Sequence, residues 1–312
     1  MSQMLIVGAG LSGLIAASML REQCGSIFEA QSALPNNHSA LLRFRSSVVG
    51  DAVGIPFRKV KVMKSVQPWR NPVADALAYS RKVSGRVSLR SSTTAAGEIE
   101  ERYIAPPDLI SQLASQVRGK IAYDQTMADA LSFSLGPIIS TIPMPTLMEA
   151  LGWEEKPAFH HQPGEVITVD LPAADFSVCA TVYIPDPQEA PYRVSITDNR
   201  LIIEMAGQGP VVPEEAISCA LHALGLSWGS IFEHCVREHK RKQMTYAKIV
   251  PIDEGLRRRF IMWASTEHNI YSLGRFATWR PGLLLDDLVN DVRVIQRLES
   301  NPGETYTHHK KV

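Results

Sequence analysis

The sequence predicts an α/β protein in which a Rossmann-type nucleotide-binding domain is interleaved with an α+β domain. Three observations carry that prediction. The apolar run Met4–Val7 enters the glycine turn Gly8-Ala9-Gly10-Leu11-Ser12-Gly13 and then an Ala/Leu-rich stretch, in the order strand, tight turn, helix. Two further apolar runs, Ile138-Ile139-Ser140 and Ile270-Tyr271-Ser272-Leu273, lead into Thr141-Ile142-Pro143-Met144-Pro145 and into Gly274-Arg275. Between them lie segments whose side chains alternate with period two, the pattern of strands in a second sheet.

In the first unit each residue has an assignable task. Gly8 permits the turn, Gly10 lets the backbone approach a pyrophosphate, and Gly13 allows the helix to pack closely on its strand. Leu11 and Ser12 open the helix, which is expected over Leu14–Arg21, so the phosphates meet free N–H groups at its positive end. Ala17 continues the small-residue face. A second strand, Ser26-Ile27-Phe28, then ends at Glu29 beside Ala30, about 20 residues downstream, where a carboxylate accepts the ribose hydroxyls of an adenosine half. A carboxylate there argues against a 2′-phosphate.

The fingerprint serves FAD and NAD alike, so later segments bear on the choice. The strand at 138–140 stops at Thr141 and two prolines, Pro143 and Pro145, which predicts an irregular turn beside the nucleotide. The strand at 270–273 runs into Gly274-Arg275. After Pro281-Gly282 the pattern of Leu283 to Leu298 reads as a long helix whose N-terminus faces a flavin ring or its pyrophosphate.

Together the fingerprint, the STIPMP segment and the YSLGRFATW segment resemble flavoproteins related to UDP-galactopyranose mutase, protoporphyrinogen oxidase and the amine oxidases. The resemblance covers the first 30 residues, 138–152 and 245–298. It implies FAD as the cofactor, Gly274 and Arg275 at its phosphates, and the Leu283–Leu284 backbone near the isoalloxazine. Val182–Asp186 and Tyr192-Arg193-Val194 resemble substrate-domain strands of the mutase-like branch, which implies that Tyr183 and Arg193 lie close to the flavin. Two departures stand out. No paired glycine follows Glu29, and Ser65 to Ser115 leaves little room for the helical substrate domain of the mutase.

These landmarks divide the chain into an FAD-binding domain of 1–60, 120–155 and 256–312, with 61–119 and 156–255 forming the substrate domain. Val166–Val169 and Arg200–Glu204 are expected strands of a mixed or antiparallel sheet, and Pro213–Leu226 an expected helix. Arg58–Lys64 alternates as an exposed strand face.

Composition limits the partners. The 312 residues hold 32 basic and 32 acidic side chains, so no global field draws the chain to DNA or anionic lipid. Cys24, Cys179, Cys219 and Cys235 are too widely spaced to indicate a zinc site or a disulfide framework, and a reducing cytoplasm is expected. The start MLIVGAG lacks a basic n-region, and no run reaches the roughly 18 apolar residues of a membrane span. His160-His161 has no partner at metal-ligand spacing, and no metal is expected.

The substrate candidates are mostly cationic. Arg43 and Arg45 alternate on one face of a short strand, Arg280 and Trp279 adjoin the last motif, and guanidinium forks suit carboxylates and phosphates. No nucleophile or acid–base pair is evident, as expected where the flavin carries the hard step. The expected reaction is oxidation of a carbon adjacent to nitrogen, with Arg43, Arg45, Arg193 or Arg280 receiving a carboxylate and Tyr183 beside the flavin. The HSALLRFRS stretch resembles bacteriophage-encoded flavoproteins of thymidine hypermodification. That implies glycinyl-modified thymidine in phage DNA as substrate, cleaved oxidatively to an aminomethyl base in the host cytoplasm, with Arg237–Lys242 and Arg257–Arg259 as local phosphate contacts. The alternatives are a mutase-like non-redox flavoenzyme and a non-catalytic FAD-binding protein.

Overall fold

A computed structural model describes residues 3–35, 41–67, 72–85, 99–133, 136–172, 179–207, 211–226 and 229–300. The His38–Ala40 part of the HSALLRFRS stretch lies outside these residues. In chain order the strands are β1 (Met4–Val7), β2 (Cys24–Glu29), β3 (Arg43–Phe44), β4 (Arg58–Val66), β5 (Ile99–Ile104), β6 (Ile121–Tyr123), β7 (Ile138–Ser140), β8 (His161–Asp170), β9 (Cys179–Tyr183), β10 (Pro191–Thr197), β11 (Arg200–Ala206), β12 (Lys240–Ile249) and β13 (Ile270–Ser272). The helices are α1 (Leu11–Met19), α2 (Val48–Val53), α3 (Pro72–Ser84), α4 (Leu109–Gln116), α5 (Met127–Phe133), α6 (Met144–Ala150), α7 (Pro213–Ala223), α8 (Gly229–Glu238), α9 (Glu254–His268) and α10 (Leu285–Ser300).

The first sheet is parallel throughout, in the order β13-β7-β1-β2-β6. β1 lies at its centre with all four residues buried, which is why it reads as a continuous apolar run rather than an alternating one. From β1 the chain steps outward through β2 to β6, then returns to the other side of β1 as β7 and β13. The strand order therefore reverses between β1 and β7, the position at which open α/β sheets take their ligands. α1 is apolar nearly all round and buried, and it packs against α4 and α10.

The second sheet is mixed, in the order β12-β8-β11-β10-β9-β4-β5-β3. β4 runs parallel to β9, and the other recorded pairs are antiparallel. One face buries Ile167, Val194, Leu201 and Ile203 against Ile217 and Ala220 of α7 and Cys235 of α8. A smaller cluster joins Tyr79 and Val83 of α3 to Val66, Tyr183 and Tyr192. Two elements sit apart from the expected division at 60 and 120. β3 pairs with β5 in the mixed sheet, while Leu109, Ile110 and Leu113 of α4 are buried in the core of the parallel sheet.

Local chemistry sets the helix limits. α1 starts at Leu11, three residues earlier than expected, because Gly10 is already its extended N-cap with ψ 179°. The STIPMP turn is regular where an irregular one was expected. Pro143 caps α6, its φ of −57° being suited to a helix start, and the Met144 N–H donates to the Phe276 carbonyl at 2.9 Å. α10 begins at Leu285, two residues later than expected.

Candidate functional site at the strand-order reversal

The site forms where β1 leaves for α1 and β7 leaves for α6. Gly8 has φ +97°, a left-handed conformation that favours glycine, and a Cβ there would overlap the Thr141 hydroxyl. That hydroxyl donates to the Val7 carbonyl at 2.9 Å, so Thr141 fixes the turn as well as facing the cleft. At Gly13 a Cβ would overlap the Gly8 carbonyl oxygen, the close helix–strand approach expected of it. Around Gly10 there is nothing within 4 Å of an added Cβ, so the backbone opens onto empty space.

Charge follows the same geometry. No side chain caps the N-terminus of α1 and no acidic residue stands in its first turn, which leaves the positive helix end uncompensated. Glu29 ends β2 alongside, its Oε2 accepting from Ala9 N–H at 2.7 Å and its Oε1 from Gln31 N–H at 3.0 Å. Ala30 next to it is exposed.

The C-terminal motif closes the other side. Gly274, with φ +95°, lies against the first turn of α1, where an added Cβ would stand 2.7 Å from the Ser12 hydroxyl. Arg275 follows. Its Nε is buried and lacks a hydrogen-bond partner among the described residues, and burial lowers its pKa below the ordinary arginine value. The resulting cleft measures about 460 Å³ and is lined by Gly10, Leu11, Ser12, Arg43, Thr141, Gly274, Arg275, Leu283 and Leu284, among others. Gly8, Gly13, Glu29, Ala30 and Pro143 adjoin the turns that form it but are not among its lining residues. The amides of Leu283 and Leu284 are already taken, donating to the Arg280 carbonyl at 3.1 Å and to Asp287 Oδ2 at 2.9 Å, so this backbone offers the cleft no free N–H.

The expected arginine-rich substrate pocket is not assembled. The Arg43 guanidinium turns into the mixed sheet, where it donates to the Thr181 hydroxyl at 2.8 Å, to the Thr197 hydroxyl, and to the Ala180 and Ile196 carbonyls. Arg193 makes a two-pronged pair with Glu204, and Arg280 pairs with Asp291. Arg45 is exposed, its N–H donating to Asp286 Oδ1 at 2.9 Å. Tyr183 is a core residue, edge-on to Tyr79 at 5.4 Å, and Trp279 is buried with its Nε1 donating to the Val250 carbonyl. The arginine runs are paired too: Arg241 with Glu165, Arg257 and Arg258 with Glu254, and Arg259 with Glu155.

One cation escaped the sequence reading. Lys248, on β12, places its Nζ 4.8 Å from the centre of the Tyr192 ring, and burial with Arg193 nearby brings its pKa down to about 7. The available signal was a lysine inside the apolar stretch Ala247-Lys248-Ile249-Val250.

Fold and cleft together define an α/β protein of Rossmann type with an open cleft at the strand-order reversal. No family model matches the chain, and no curated protein matches it either. Among solved structures it is similar to reduced UDP-galactopyranose mutase, with 16% identity over 99% of both chains and a TM-score of 0.66. It is also similar to 2-methyl-3-hydroxypyridine-5-carboxylic acid oxygenase, with 11% identity, a TM-score of 0.54, and 97% of this chain and 83% of that one covered. A third is a putative FAD-containing monooxygenase from Photorhabdus luminescens, with 11% identity, a TM-score of 0.52, and 99% and 91% covered. At these identities the likeness is one of fold, and it takes in the parallel sheet and the mixed sheet alike. Among the described residues no helix is long and apolar enough to cross a membrane.

Proposed function

We propose that the protein is an FAD-dependent oxidoreductase. The observation that carries this reading is the cleft at the β1–β7 reversal, where Gly10 leaves room for a diphosphate between the bare N-terminus of α1 and the unpartnered Arg275. The residues fit the group. Glu29 would take the ribose hydroxyls, the first turn of α1 and Arg275 the diphosphate, and the similar folds include a protein described as containing FAD. When bound, the flavin would accept a hydride from substrate.

Within that class the reading we favour is oxidation of a carbon next to nitrogen in a small amine or amino-acid-like substrate. The protein's own tasks are then to hold the substrate over the ring, exclude water and keep the amine unprotonated. Glycinyl-modified thymidine belongs chemically to that substrate class. All the arginines of the basic runs pair with carboxylates, which leaves Lys240 and Lys242 as the uncompensated charges there among the described residues, and we favour a small molecule or nucleoside over duplex DNA. A mutase-like reaction on a sugar nucleotide is the second reading, favoured by the full-length likeness in fold to the mutase.

Anaerobic mixing of the purified protein with glycine, simple amines and glycinylated thymidine separates these readings. Bleaching of the flavin absorbance by an amine supports oxidation, whereas turnover of a sugar nucleotide only after prior reduction supports the mutase. Stable flavin with no reactivity toward either leaves a binding protein, and a colourless protein that takes up no flavin overturns the assignment.

A further inference from the structure

A second cluster of charge lies between the mixed sheet, α3 and the turn after β13. Tyr192 and Arg193 stand on β10 and Glu204 faces them from β11. Arg193 grips both oxygens of Glu204, and the Tyr192 hydroxyl adds a bond of 3.1 Å. That carboxylate is fully engaged. Beside it stand Lys248 and Arg275, which interact electrostatically with Arg193 and with each other, yet neither has a hydrogen bond or ion pair to a carboxylate among the described residues. Arg193 and Lys248 both act on Glu204, and Arg275 acts on those two cations, so positive groups outnumber the one carboxylate in a largely buried space, a balance that asks for an anion. The cofactor diphosphate would answer Arg275. Lys248 is not among the residues lining the cleft around α1, and its nearest ring is that of Tyr192.

We propose that Lys248 is the seat for an anionic group of the substrate, a carboxylate on an amino-acid-like amine. The identity of the substrate rests on the oxidoreductase reading, but the seat itself is a property of the apoprotein. An ammonium on a flexible stem suits a carboxylate as a point charge, and the Arg193–Glu204 pair beneath it prevents collapse of Lys248 onto Glu204. The seat also replaces the arginine pocket expected from sequence.

Isothermal titration with benzoate and with acetate tests the seat, using the flavin-loaded protein and repeating the titration without flavin. Lys248→Met is expected to weaken benzoate binding at least tenfold while flavin occupancy stays normal, and Lys248→Arg to retain binding. The groups facing Lys248 are Arg193, Glu204 and Tyr192 from the sheet and Arg275 from the turn, with Tyr79 of α3 acting on Arg193 and His161 in a tilted ring contact with Tyr246, two residues along β12. Since burial holds Lys248 near 7, benzoate affinity should fall about tenfold per pH unit above that value in the wild-type protein. Lys248→Arg should flatten this profile and His161→Gln leave it unchanged. Absence of benzoate and acetate binding, binding unaltered by Lys248→Met, or wild-type affinity that stays flat from about pH 6 to 9 overturns the proposal. A colourless protein that still binds benzoate through Lys248 keeps the seat and removes only the cofactor reading.

Discussion

Thr141 and Gly8 meet across the gap between β7 and β1, the threonine hydroxyl donating to the Val7 carbonyl in the space that a side chain on Gly8 would fill. The two sides of the strand-order reversal are therefore locked together by one hydroxyl and one missing side chain.

Gly13→Ala should destabilise the fold, because its methyl would overlap the Gly8 carbonyl oxygen in a rigid stretch of backbone. Overpacking of this kind costs about 3 kcal/mol, which a urea denaturation curve resolves. A variant as stable as the wild type would contradict the close helix–strand contact.

Gly10→Glu separates binding from folding at the same turn. Gly10 has φ −68° and open space around it, so the variant should unfold within about 0.5 kcal/mol of the wild type. Flavin retention should nonetheless be abolished, since the new side chain enters the diphosphate space with a negative charge. A yellow variant at normal occupancy would show that the cofactor lies elsewhere.

Arg275→Met should move affinity and stability in different directions. Removing a buried cation whose Nε has no partner leaves the apoprotein equally stable or slightly more so. Loss of a charge-assisted bond to the diphosphate weakens flavin binding by about 2 kcal/mol, or roughly thirtyfold in Kd. Thermal melts of the apoprotein and a flavin fluorescence titration give the two readings.

Arg43→Met should behave as a structural variant. Its guanidinium joins β3 to Thr181, Thr197 and two carbonyls of the mixed sheet, and removing it takes away all of these bonds, leaving Thr181 only its bond with Ser195. A loss of about 3 kcal/mol in stability is expected, with flavin affinity largely kept. Unchanged stability combined with loss of turnover would instead restore Arg43 to a substrate role.

Glu254 gives an acid-dependent test. Hydrogen bonds from Arg257 hold its pKa down to about 2 from an ordinary 4.5, so its stabilising effect is complete above the ordinary value and disappears as pH falls toward 2. The carboxylate is 54% exposed, which limits the effect to about 1 kcal/mol. Glu254→Gln should therefore be less stable than the wild type at neutral pH, with the difference closing on acidification.

The glycine turn of the first βαβ unit was legible in the sequence because its parts act within a short span of chain. Gly8, Gly10, Gly13 and Glu29 do their work inside a single βαβ unit, where spacing along the chain dictates spacing in space. Many strands were legible too, as were α7 and α10, since their apolar periodicity is local, whereas α3, α8 and α9 were not. The state of each cation was settled only by tertiary structure. Arg43 finds its acceptors 137 to 154 residues away and Arg45 its contact with Asp286 241 away, distances over which no pattern in the chain announces a partner. Whether a charge is matched or left waiting depends on which elements fold together, and that singled out Arg275 and Lys248 from a chain with many basic side chains.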